Sequence, residues 1–131
     1  MRKRKRAAES GITLIEMLVV ITIIALFSAV AYQRLSPAVD RGRMTAARTQ
    51  IEAFAGALQT HHIEKGRFPT QEEGLAAIRI YLAKDIPNDP WGNPYGYKYP
   101  GDHGPEPDLW SYGADGKSGG DGVSADIVSW K

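Results

Sequence analysis

The chain has 131 residues, 43% of them hydrophobic, a net charge of +1 and no cysteine. That is one domain's worth of material, with no room for two independent cores. The missing thiols exclude both a disulfide framework and a thiolate metal site.

Taken in chain order, residues 1–11 form a basic leader in which Arg2, Lys3, Arg4, Lys5 and Arg6 precede Glu9. Beyond residue 11 there remain eleven basic against fourteen acidic residues, a balance of −3. The basic cluster therefore sits where a membrane-targeting signal puts it, and the composition speaks against a nucleic-acid partner. Residues 12–34 begin with an almost wholly apolar run, ITLIEMLVVITIIALFSAVAY, uncharged from Met17 to Tyr32. A helix of about 20 apolar residues spans a bilayer core. The basic leader holds its N-terminus in the cytoplasm and sends the rest outward.

Residues 35–65 are expected to continue this helix in amphipathic form, softened at Pro37 and Gly42. Met44, Ala47, Ile51, Phe54 and Leu58 recur at spacings of three and four, the stripe of a helix packed against a core. Gly66, followed by Pro69, predicts its end. Thr70-Gln71-Glu72-Glu73 has the pattern of a capping box and predicts a short second helix with Leu75, Ile78 and Leu82 on its apolar side. Residues 85–131 hold most of the glycines and six of the eight prolines, which predicts turns, loops and short strands. The best strand segments are Gly96–Tyr99 and Leu109–Tyr112, with Ile127–Trp130 ranking below them as a third. The expected fold is thus α+β, a long N-terminal transmembrane and amphipathic helix followed by a small head over residues 66–131.

No nucleophile elbow, phosphate-cradling glycine loop or zinc-binding helix motif is present, so the chain does not read as an enzyme. His61 and His62 are adjacent and point about 100° apart on a helix, so they cannot form an i, i+4 metal pair. His103 stands alone in a loop. Trp91, Trp110 and Trp130 lie beside prolines and strands, which favours head packing over a carbohydrate platform.

Two readings of the N-terminus compete. As a secretory signal, the run would be removed at Ala29-Val30-Ala31, releasing a secreted calcium- or sugar-binding module. Against this, Glu16 lies inside the apolar run, where a carboxylate is expensive and marks a functional site. Gly11 also directly precedes Ile12-Thr13-Leu14-Ile15-Glu16. This segment resembles the processing site of the type IV pilin and pseudopilin superfamily. The resemblance implies cleavage between Gly11 and Ile12 by a prepilin peptidase, methylation of the new amine on Ile12, and retention of the helix. Ile12 stands where the superfamily usually has phenylalanine, and Gln33 where its helix commonly has a proline. Glu16 would then pair with the amine of a neighbouring subunit and set the register of assembly.

Farther on, the segments Lys65–Thr70, Glu73-Gly74-Leu75, Pro87–Tyr95 (PNDPWGNPY) and Asp108–Gly116 (DLWSYGADG) resemble the major pseudopilins of type II secretion systems. That resemblance covers nearly the whole chain from Gly11. It implies a homo-oligomeric filament built at the inner membrane with minor pseudopilins and an assembly platform, its head in the periplasm. A type IV pilus subunit is the neighbouring alternative, and the lack of cysteine favours the pseudopilin.

Asp115, Asp121 and Asp126 lie in a glycine-rich stretch, GADGKSGGDGVSAD. By spacing it is not an EF-hand, since Lys117 and Gly119 fill positions that need oxygen side chains. The resemblance implies a structural calcium ion in this loop, with Asp115, Asp121, Asp126 and the backbone carbonyl of Tyr112 as ligands.

Overall fold

The computed structural model describes residues 11–131, with the side chains of residues 34–36 excepted. The basic leader lies outside the described residues apart from Gly11. The chain falls into two units, Met1–Pro37 and Ala38–Lys131.

Helix α1 runs over Leu14–Lys65. Its start is set by Thr13, whose Oγ1 accepts the Glu16 N–H at 3.2 Å and whose carbonyl accepts the Met17 N–H at 3.2 Å. In the first unit every described side chain from Gly11 to Gln33 is exposed, including Ile12, Leu14, Ile21, Leu26 and Phe27. The hydroxyls inside this apolar stretch are satisfied by the helix itself. Thr22 donates to the Leu18 carbonyl and Ser28 to that of Ile24, each at 2.7 Å. The polar groups other than Glu16 therefore make the segment compatible with an apolar surround.

In the second unit the expected stripe becomes the core. Ala47, Ile51, Phe54 and Leu58 are buried and Met44 packs against them, joined by Phe68, Ile78, Tyr95, Tyr97, Leu109 and Ile127. The helix ends as the sequence predicts: Gly66 takes a positive φ of 73° and donates to the His62 carbonyl at 2.8 Å. The capping box also forms. Thr70 Oγ1 accepts the Glu73 N–H at 3.3 Å while the Glu73 carboxylate accepts the Thr70 N–H at 2.8 Å. The helix it opens is a 3₁₀ helix, Gly74–Tyr81, with Ile78 buried beneath it.

Three short strands close the head: β1 (Gly96–Lys98), β2 (Asp108–Ser111) and β3 (Ile127–Val128). They form one antiparallel sheet in the order β1-β2-β3, with Gly96 opposite Trp110 and Trp110 opposite Val128. Gly96 is required by its neighbour, since a Cβ there would lie 1.9 Å from the Trp110 ring. The outer edge of β1 is not left open. Gln71 donates to the Tyr97 carbonyl at 2.9 Å and accepts the Tyr99 N–H at 3.0 Å, so one side-chain amide stands in for a further strand.

Candidate functional site: an exposed apolar helix and a pinned head

The first part of the site is the N-terminal stretch. Gly11, Ile12 and Thr13 precede the helix and are exposed, and Glu16 lies in its first turn, also exposed. The structure thus brings Ile12 and Glu16 to one end of one helix. Glu16 has its backbone N–H capped by Thr13, and a carboxylate in the first turn is favoured by the helix dipole. Thr13 and Glu16 have the spacing of a capping box, a signal present in the sequence but hidden inside its apolar run.

The second part is the pinned head. Asp89, only 4% exposed, is the hub of the PNDPWGNPY turn. Its Oδ1 accepts the N–H groups of Trp91 (3.1 Å) and Asn93 (2.8 Å), and its Oδ2 accepts the Ser111 hydroxyl at 2.6 Å. Asn93 in turn donates to the Gly113 carbonyl at 3.4 Å, so the turn is tied to the GADG segment after β2. The Tyr95 hydroxyl donates to Gln50 on α1. Burial and the nearby Asp89 charge push its pKa up. The Tyr97 hydroxyl donates to the Pro69 carbonyl at 2.6 Å, and its pKa is pushed up to about 12 by burial, with Tyr99 and Glu73 adding to it.

A third group fastens the β1–β2 loop to the C-terminus. His103 stacks on Trp130 with centroids 3.9 Å apart and planes 3° apart, and its Nδ1 lies 2.7 Å from Asp108 Oδ2. Burial would raise the pKa of Asp108. The bonds from His103 and from the Asp102 N–H outweigh it, so the carboxyl ends below its ordinary value. His103 is therefore packed rather than alone, and His61 is buried with its Nδ1 3.0 Å from the Arg67 carbonyl. Trp91 packs against the core, and Trp110 lies over Gly96.

The fourth group is the glycine-rich loop. Asp115 closes a 3₁₀ turn, Gly113–Asp115, and its Oδ1 accepts the Lys117 N–H at 3.0 Å. Asp121 precedes a second such turn, Gly122–Ser124. Asp126 Oδ2 accepts the Gly119 N–H at 2.9 Å, while its Oδ1 is buried and has no partner. Among the described residues no three carboxylates or imidazoles gather into a metal-holding group. The structure therefore does not bring Asp115, Asp121 and Asp126 together as one carboxylate cluster. Tyr112 lies half-buried, directly before the first turn. At Gly113 and Gly120, both with positive φ, the backbone approaches the carbonyls of Val123, Ala125 and Ser124 so closely that a Cβ would come within 2.9 Å of each. The donors this loop offers, the unpartnered Asp126 Oδ1 and the backbone carbonyls packed against Gly113 and Gly120, are all oxygens, the ligand type calcium takes.

A long N-terminal helix with an exposed apolar stretch, followed by a small head of short strands, is the architecture of a pilin-like subunit. Comparison with known proteins narrows that class. A family model described as type II secretion system (T2SS), protein G matches residues 34–130, and one described as a prokaryotic N-terminal methylation motif matches residues 6–32. The chain is 36% identical over 140 residues to the type II secretion system core protein G of Pseudomonas aeruginosa, covering 96% of this chain and 98% of that one. It is 34% identical to the protein of the same name from Vibrio cholerae, covering 97% and 95%. The crystal structure of the major pseudopilin from the type 2 secretion system of enterohaemorrhagic Escherichia coli superposes with a TM-score of 0.59 at 25% identity, over 73% of this chain and 93% of that one. The chain belongs to the type II secretion system protein G family, as a structural pseudopilin subunit and not an enzyme.

Proposed function

We propose that this pseudopilin is cut between Gly11 and Ile12 by a prepilin peptidase, methylated on the new amine of Ile12, and drawn from the inner membrane into a homopolymeric pseudopilus. The observation that carries this reading is the unbroken exposure of the apolar side chains from Ile12 to Phe27 on a continuous helix. So much apolar surface needs either lipid or other copies of the same helix. Before assembly the helix crosses the inner membrane with its N-terminus cytoplasmic and the head periplasmic. After assembly the helices pack against one another in the filament, with minor pseudopilins and an inner-membrane platform as partners. Growth of the filament would push folded proteins through the outer membrane.

Glu16 takes the role of a register contact. Its carboxylate, placed in an apolar bundle, is stable only opposite a cation, and the cleaved amine of a neighbouring Ile12 is that cation. Glu16→Ala is expected to leave membrane insertion and cleavage intact and to abolish filaments seen by electron microscopy. Normal filaments from that variant would count against the reading.

Calcium belongs to the same proposal. Asp126 supports it best, through its unpartnered Oδ1. Asp115, Asp121 and the Tyr112 carbonyl are the further ligands that the family resemblance implies, and since the three carboxylates are not gathered in this structure the loop would have to draw in around the ion. A bound ion would supply a crosslink between the loop and β3, the staple that a cysteine-free exported head lacks.

A further inference from the structure

We propose that Thr13 is a positioning residue for processing: its side-chain cap starts helix α1 after the Gly11–Ile12 bond and so keeps that bond outside the helix, where a peptidase can cut it. This rests on the processing reading above. Helix α1 begins at Leu14, and residues 11–13 carry no helical structure. Two bonds fix that start. The Thr13 hydroxyl accepts the N–H of Glu16, and its carbonyl accepts the N–H of Met17, each at 3.2 Å. Together they make Thr13 an N-cap, with the side chain serving the third helical residue while the carbonyl takes the first intrahelical bond.

The bond to be cut lies just outside this cap. Hydrolysis adds water at the Gly11 carbonyl carbon and breaks the C–N bond to Ile12. Gly11 leaves as a carboxylate and Ile12 becomes the protonated amine. The attack needs open access to that carbonyl. A first helical turn denies it, because the carbonyl is engaged along the axis and the next turn covers one face. The helix has a reason to grow toward this bond, since free N–H groups of a first turn are costly where water is scarce. Ser10, three residues before Thr13, offers the same hydroxyl chemistry. A helix capped there would take Gly11 and Ile12 as its first two residues and enclose the bond between them. Thr13 touches none of the reacting atoms. It sets the fraction of substrate that is ready to be cut, and the N–H it holds is that of Glu16.

The test uses the uncleaved full-length chain in detergent micelles with its membrane peptidase, and the series Thr13→Ser, Thr13→Asn, Thr13→Val and Thr13→Ala. Ser and Asn cap at least as well as Thr, whereas Val has its shape but cannot cap. The expected result is wild-type cleavage for the Ser and Asn variants. For the Val and Ala variants KM is expected to rise by up to about fivefold with kcat unchanged, as when only part of a substrate population is competent. In the same samples, Cα chemical shifts at Gly11 and Ile12 move toward helical values only in the Val and Ala variants. Equal cleavage across the series overturns the proposal, as does a fast Val variant beside a slow Asn variant, which would mean that the peptidase reads shape. Unmoved shifts in the Val and Ala variants overturn it too. A wild-type chain left uncut at Gly11–Ile12 would instead refute the processing reading, and the chemical shifts would still decide whether Thr13 sets the start of the helix.

Discussion

Removing the carboxylate of Asp89 should damage the head more than any loss of exposed charge. The Asp89→Ala substitution strips three bonds at once, those from the Trp91 and Asn93 N–H groups and from the Ser111 hydroxyl. It does so at a position only 4% exposed. A bond to a charged group contributes about 1.5–3 kcal/mol, and each buried donor left unpaired costs about 1–3 kcal/mol. Because the three share one carboxylate they do not add, and roughly 4 kcal/mol is the working figure. Against a domain stability of about 5–15 kcal/mol that is a large fraction. At about 4–8 °C per kcal/mol for a domain of this size, the melting temperature should fall by roughly 15–30 °C. Asp89→Asn keeps one carbonyl oxygen for the two backbone donors and should lose only about 1–2 kcal/mol. Near-ultraviolet circular dichroism of the full chain in detergent, followed through thermal unfolding, reads both. A loss below about 1 kcal/mol for Asp89→Ala, or equal damage from both variants, would refute the role assigned to this residue.

The head carries two further predictions. The Arg67 guanidinium, with the Thr70 N–H, holds the Glu73 carboxyl at about 2, well below its ordinary 4.5. A carboxylate with a depressed folded-state pKa stabilises the fold above its unfolded value and loses that contribution as pH falls. The wild-type chain should therefore lose stability between about pH 4.5 and pH 2 in excess of Glu73→Gln, and parallel acid melts of the two would contradict this. Chelation of calcium should lower the melting temperature and added calcium should restore it. At a hundredfold excess over Kd the linkage is worth about 2.7 kcal/mol. Asp126→Ala should abolish the response, and a chelator-insensitive wild-type melt would count against the ion.

What the sequence revealed was local. The spacing from Met44 to Leu58, the stop at Gly66 and the reciprocal Thr70–Glu73 pattern each depend on a few neighbouring residues, and each is present in the structure. The three strands were visible as aromatic and aliphatic runs between turn formers, but their bounds were not: the second runs Asp108–Ser111 rather than Leu109–Tyr112, and the third stops at Val128 rather than Trp130. The 3₁₀ form of the segment after Glu73 was not, because apolar residues at Leu75, Ile78 and Leu82 suit either helix. Asp89 was legible only as a turn residue. Its partner Ser111 is 22 positions away, and no periodicity connects them. The same holds for Gln71 reaching Tyr97 and Tyr99, and for His103 lying on Trp130. At the N-terminus, Glu16 was conspicuous because charge is rare in an apolar run. Thr13 was not, because a threonine costs little there and its capping-box spacing to Glu16 is hidden in the apolar run, so its bond stands out only in the structure.

The most direct test of the assembly function is the N-terminus of the mature chain purified from membranes, read by intact mass and terminal sequencing. The expected chain begins at Ile12, methylated on its amine, with the apolar helix retained. A chain beginning at Tyr32, freed of that helix, would contradict it.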